Sequence, residues 1–206
     1  MELLLKKYFF KWSPIMMTFF LLMMTDSLSA QKKNFKINPP DYIKLQYAGG
    51  TGFVSFGAGY SSKNQKLEGD LFYGYLPESI GGVRIHSISI KFNWIPIHSV
   101  PIKKYQLEPI ITGLLINYSL GKQYFSFDPP NYPYRYYSFP TAIHSALFFG
   151  SRAGIKFPTK SIVQGVSLYY EIVSFDREII SLLSNPKSLH IPDILTLSLG
   201  ARICFE

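Results

Sequence analysis

Residues 142–157 read AIHSALFFGSRAGIKF. Ile143, Leu147, Phe149, Ala153, Ile155 and Phe157 fall on alternate positions, with Ser145 and Ser151 as the small exceptions. The intervening set carries His144, Arg152 and Lys156 among alanine and glycine. Successive side chains of a strand point to opposite sides, so this alternation predicts a β-strand with one apolar face. At sixteen residues the run is long for a soluble sheet. It suits a tilted strand that crosses a bilayer and projects a little beyond it.

The same period recurs on both sides of it. Runs at 42–48, 53–60, 67–76, 83–94 and 107–120 precede it, and runs at 162–175 and 194–205 follow it. In the last, Leu195, Leu197, Leu199, Ala201, Ile203 and Phe205 alternate with Thr196, Ser198, Gly200, Arg202 and Cys204. Turn-forming clusters separate the runs: the glycine-rich 49–52, the polar 61–66, and 77–82. Longer connections lie at 95–106, at the Tyr/Pro-rich 121–140 and at 176–193, where 177–183 reads as a short helix. If 49–52 is a hairpin the strands number eight; if it is only a bend they number seven. Eight places the two longest loops, 121–140 and 176–193, on one side of the membrane and shorter turns on the other, the usual pattern of spanning barrels.

Composition fits this class. The chain has 206 residues, 17% aromatic and only 17% charged, with 21 Lys and Arg against 13 Asp and Glu. High aromatic and low charge content disfavours disorder. The basic residues are scattered rather than gathered on one face, which disfavours a nucleic-acid partner and leaves attraction to anionic lipid headgroups as their general consequence. Cys204 is the single cysteine, so no intrachain disulfide and no cysteine-cluster metal site is expected. Residues 1–30 read as a cleaved export signal: Lys6, Lys7 and Lys11, then the apolar IMMTFFLLMM at 15–24, then small residues up to Ala30. Residues 31–41 form a polar tail, and 42–206 form one barrel domain.

Spanning strands must satisfy every backbone polar group, so they close on themselves. An eight-stranded barrel is just wide enough for side chains to fill it. The parity of the runs sends Lys44, Glu68, Asp70, Lys91, His144, Arg152, Lys156, Glu171 and Arg202 inward as a mixed-sign network. Such a set pairs rather than leaving any member alone, which costs about 3–5 kcal/mol. The prediction is an all-β, closed, antiparallel barrel with a polar, plugged interior rather than a pore, and with Glu171 as the partner of His144, Arg152 and Lys156. Tyr60, Tyr73, Tyr75, Trp94, Tyr118 and Tyr170 are placed at strand ends or on the outer face, as aromatic girdles.

With its export segment, alternating strands and terminal run LTLSLGARICF at 195–205, the chain resembles the small outer-membrane β-barrel proteins of Gram-negative bacteria, the OmpA/OmpX-like group. The resemblance covers about residues 42–205. It implies an outer-membrane location, outer-membrane lipid and the barrel assembly machinery as partners, and a terminal aromatic for recognition by that machinery. Here Phe205 is followed by Glu206.

Some barrels of this size modify lipid A, a chemistry that needs a nucleophile, a histidine base and an orienting carboxylate within reach of one another. His86-Ser87, His98-Ser99 and His144-Ser145 are adjacent pairs, and adjacent strand residues face opposite ways. The His-x-Ser of the lipid A 3-O-deacylase family is missing: Ile88 and Ala146 stand where its serine would be. A cross-strand set of His144, Ser167 and Glu171 is the remaining arrangement with nucleophile, base and carboxylate. No catalytic, cofactor or metal residues are assigned. The leading expectation is a non-enzymatic envelope or surface-contact barrel, with 121–140 as an extracellular contact surface. The alternatives are a lipid A-modifying barrel enzyme and a soluble lipocalin-like barrel, which needs the apolar face turned inward.

Overall fold

The computed structural model describes residues 38–121, 123–125, 141–158 and 161–205. The expected export signal, most of the tail at 31–41 and most of the aromatic loop at 121–140 lie outside the described residues. The chain divides into Met1–Pro39 and Pro40–Glu206, and the second unit holds the fold.

Nine strands lie among the described residues: β1 (Tyr42–Ala48), β2 (Val54–Ser61), β3 (Leu67–Leu76), β4 (Ile85–Trp94), β5 (Val100–Ile102), β6 (Tyr105–Leu120), β7 (Ile143–Lys156), β8 (Val163–Phe175) and β9 (Thr196–Phe205). Eight of them form an antiparallel wall in the order β4-β3-β2-β1-β9-β8-β7-β6, and β4 pairs with β6 to close it. The ring therefore has no free edge in its body. The run at 142–157 becomes β7, paired with β6 from Tyr105↔Ile155 to Tyr118↔Ile143 and with β8 from Ala146↔Phe175 to Lys156↔Gly165.

The 49–52 break is a hairpin, so the count is eight. Gly49 and Gly50 sit at φ of 79° and 75°, and Ala48 joins them at 60°. A Cβ on Gly50 would stand 2.1 Å from the Phe175 ring, so both the dihedral and the space call for glycine there. The turn folds into the lumen, where Thr51 is buried, its hydroxyl bonded to Gln46 and Ser55 and its carbonyl accepting from the Ser87 hydroxyl.

The connection at 95–106 is more ordered than its prolines suggest. Val100–Ile102 folds back on 105–107, so β6 begins at Tyr105 rather than 107. Pro101 is tolerated because β5 is an edge strand. The turn at 77–82 contains a helical turn, α1 (Glu78–Gly81), closed by Gly82 at φ 69°. The expected helix near 177–183 is α2 (Asp176–Ser184), and a 3₁₀ turn at Ile191–Ile194 delays the start of β9 to Thr196.

An even strand number puts the start of β1 and the end of β9 at one end of the barrel, here called proximal. The 62–66 turn, the end of β7, the start of β8 and the β5–β6 hairpin lie there. The 49–53 turn, α1, the end of β6, the start of β7 and the α2 segment lie at the opposite, distal end.

Polarity is divided by face. Leu45, Phe56, Leu71, Phe92, Leu147, Leu168 and Leu199 are exposed on the outer surface, as are Tyr60, Tyr73, Tyr75, Trp94, Tyr118 and Tyr170. The inner surface is filled by large side chains set against glycines on the neighbouring strand. Register pairs Tyr42 with Gly59, Phe72 with Gly57 and Tyr169 with Gly200. A Cβ on Gly57 would lie 2.6 Å from the Phe72 ring, and one on Gly200 2.3 Å from the Tyr169 ring. Alternating large and small residues is how a narrow barrel fits its own interior. One sector of the lumen is apolar: Ile95, Ile111, Leu115, Ala146, Phe148 and Val173 pack together. This sector adds apolar packing to the polar, plugged interior, with Ile111 and Leu115 of β6 facing inward.

Candidate functional site

The lumen is the site to which the fold brings most of the ionisable groups. β3 contributes Glu68 and Asp70, two apart and so on one face. β1 contributes Lys44, β4 Lys91, β7 Arg152, β8 Glu171 and β9 Arg202; all seven are buried. Glu68 is the hub. Arg152 donates to both of its oxygens, Nη2 to Oε1 at 2.8 Å and Nη1 to Oε2 at 3.1 Å. Arg202 Nη1 lies 2.9 Å from Oε1, and Lys44 Nζ 3.7 Å from Oε2. Arg152 also donates through Nε to Glu108 Oε2 at 2.7 Å. Asp70 accepts from Lys44 at 2.7 Å, from the Tyr42 hydroxyl at 2.5 Å and from Asn93 at 2.9 Å. Lys91 pairs with Glu171, and Ser198 donates to the same carboxylate at 3.4 Å.

Aromatic rings complete the packing of the cations. The Arg202 guanidinium stacks 3.8 Å from the Tyr42 ring centre, and Lys91 Nζ lies 4.5 Å from that of Phe148. These contacts favour a desolvated cation. Counting Glu108, four cations meet four carboxylates. Lys91–Glu171 and Arg152–Glu68 each join strands three places apart in the ring, so the network ties opposite walls and fills the middle of the barrel. Proximal to it a vestibule of about 500 Å³ opens, with Glu68, Glu108, Arg152 and Arg202 at its floor and Gln106 and Ser167 on its sides.

Two residues of the expected network stand apart from it. Lys156 has the inward parity but is the last residue of β7, so it reaches solvent at the vestibule rim. His144 lies at the opposite end of β7. Its Nδ1 is 3.6 Å from Asp176 Oδ1, and its Nε2 is 3.1 Å from the Thr141 carbonyl. Glu171 therefore does not serve as the partner of His144, Arg152 or Lys156; Lys91, from across the lumen, takes it. Parity sets the face of a residue, but the height of each charge along the barrel decides its partner.

The cross-strand set His144, Ser167 and Glu171 is not brought together. Ser167 pairs with Gly154 and Glu171 with Gly150, ten and six positions along β7 from His144, or roughly 33 Å and 20 Å of strand rise. Ser145 donates both its N–H, at 3.0 Å, and its hydroxyl, at 3.1 Å, to Asp176 Oδ2. Burial alone would raise the Asp176 carboxyl, but the N–H groups of Ser145 and Arg177, the Ser145 hydroxyl and His144 hold it below the usual carboxylate range. In this arrangement the serine and histidine share a carboxylate instead of forming a nucleophile–base pair. His86 is half-buried on the outer face, with Nδ1 2.6 Å from the Tyr73 hydroxyl; His98 and His190 are exposed in connections.

Sequence reasoning missed Glu108 and Thr51. Glu108 sits just before the irregular pairing between Glu108 and Ile111, so strict alternation does not place it. Thr51 enters the lumen through a turn, which has no period to read. No protein-family model matches this chain, and no curated protein matches it.

Proposed function

We propose that this chain is a bacterial outer-membrane β-barrel protein of the small OmpA/OmpX-like kind, exported by a cleaved N-terminal signal, with a non-enzymatic role in envelope integrity or surface contact. The observation that carries this reading is the inverted distribution of polarity. Leu45, Phe56, Leu71, Phe92, Leu147 and Leu168 face outward and exposed while seven charged side chains are buried inside. An apolar surface of that extent marks an interaction with protein or lipid. A closed wall leaves no unpaired backbone in its body, which hydrocarbon requires. A lipocalin-like barrel requires the opposite arrangement, with the apolar face inside. The grouping of the long connections at the distal end supports that end as the outer one.

The non-enzymatic part is supported by the commitment of the lumen carboxylates to cations and of the Ser145 hydroxyl to Asp176. Membrane fractionation followed by electrophoresis with and without heating tests the location. The expected result is recovery with outer membranes and faster migration before heating; recovery as a soluble protein overturns it. Mass spectrometry of lipid A with and without the gene tests the role. Unchanged acylation is expected, and a gained or lost acyl chain favours an enzyme.

A further inference from the structure

The charges outside the lumen are divided unevenly between the two ends. At the proximal end Lys63 and Lys66 lie in the β2–β3 turn, Lys103 and Lys104 in the β5–β6 turn, and Lys156 at the end of β7; four are exposed and Lys66 is half-buried. Among the described residues the one acid outside the lumen at that end is Asp41, and its Oδ2 already accepts the Ser61 N–H at 2.7 Å. Among the described residues none of the five lysines is in an ion pair. Among the described residues the distal end is balanced: Arg84, Arg177 and Lys187 stand with Glu78, Asp176, Glu178 and Asp193.

The lysines also sit at the margin of the apolar surface. Lys66, Lys104 and Lys156 each precede an exposed Leu67, Tyr105 or Phe157. Lys104 Nζ lies 5.4 Å from the Tyr105 ring centre. Val100 and Ile102 of β5 add exposed apolar surface beside the Lys103–Lys104 turn. A lysine so placed lays its stem on apolar surface and holds its amine in the polar layer.

We propose that these five lysines form a collar that binds the headgroups of anionic phospholipids, of the phosphatidylglycerol type, in the leaflet at the proximal end. Their distribution favours lipid over a protein partner. The three turns belong to separate hairpins at different points around the ring, so a globular partner meets one arc, while a lipid annulus meets all of them. Clustered lysines beside a spanning segment are the chemistry of anionic-headgroup attraction. The collar would bias the composition of the lipid annulus and resist rotation of the proximal end into the opposite leaflet.

This inference rests on the membrane-spanning reading, so the experiment scores the two separately. The full chain is folded into vesicles of phosphatidylcholine, alone or with a minor fraction of phosphatidylglycerol. Heat-modifiable migration reports insertion. Spin-labelled lipids report the selectivity of the annulus by electron paramagnetic resonance. The expected result is insertion in both vesicles and a roughly threefold preference for phosphatidylglycerol at low salt, falling towards none in about 1 M salt. A variant with Lys63, Lys66, Lys103, Lys104 and Lys156 all changed to Gln should still insert and should lose the preference. A distal variant, Arg84→Gln with Lys187→Gln, should keep it. Insertion without any preference, or a preference retained by the five-lysine variant, overturns the collar alone. Failure of the unaltered chain to insert into either vesicle overturns the spanning reading and the collar with it.

Discussion

The guanidinium of Arg152 on β7 forks onto the carboxylate of Glu68 on β3, 84 positions away in the chain, through bonds of 2.8 Å and 3.1 Å. Two parallel donors fix the orientation of both groups as well as their distance. Because Arg202 and Lys44 converge on the same carboxylate, Glu68 holds three strands to a fourth.

Glu68→Gln should therefore be the most damaging single change within this cluster. It leaves three buried cations without their shared anion, at a cost of about 3–5 kcal/mol. Arg152→Met should cost less, because Arg202 and Lys44 still neutralise Glu68. Urea unfolding of the detergent-folded barrel measures both, and equal costs would show that the hub is not Glu68.

Lys91 and Glu171 form a more isolated pair. Lys91→Met should destabilise by about 3–5 kcal/mol because it strands a buried carboxylate. Adding Glu171→Met should restore most of that loss, since the pair is removed together beside the Phe148 and Val173 packing. The double-mutant cycle gives the coupling directly; additive losses would argue against it.

Gly57→Ala should overpack the barrel. The new Cβ meets the Phe72 ring at 2.6 Å, and overpacking of this kind costs about 1–3 kcal/mol. In a Phe72→Leu background the same change should cost less. Thermal unfolding of the four proteins checks the compensation.

Asp176 gives the distal end a pH dependence. Its carboxyl lies below the usual range when folded, so its contribution is full above the ordinary carboxylate value and is lost as pH falls through the folded one. Protection of the Ser145 amide, which donates to Asp176, measured as its exchange rate relative to the intrinsic rate at each pH, should fall on acidification through that window. Asp176→Asn should abolish the acid-dependent step while leaving the lumen network intact.

Trp94 tests the outer surface without mutation. It is exposed on the outer face near the proximal end, and the remaining tryptophan, Trp12, falls in the expected export signal. Lipids brominated near the headgroup should quench its fluorescence more than lipids brominated at the chain ends. Quenching by soluble iodide alone would count against lipid contact.

The sequence by itself determined the strands and their faces. Period two is a local property of the chain, and β7 keeps its polarity pattern whatever it pairs with. That is why Lys44, Glu68, Asp70, Lys91, Arg152, Glu171 and Arg202 were all legible as inward residues. Loop lengths favoured eight strands over seven. Tertiary structure decided what parity does not contain. Closure of β4 on β6 set the height of each charge around the ring, and with it the choice of Lys91 rather than His144 for Glu171. The end of β7 put Lys156 in solvent. The irregular pairing after Glu108 brought that carboxylate to Arg152, and the glycine turn carried Thr51 into the lumen. A face is fixed by the geometry of one strand, but a partner is fixed by the stagger of several, and stagger exists only once the wall has closed.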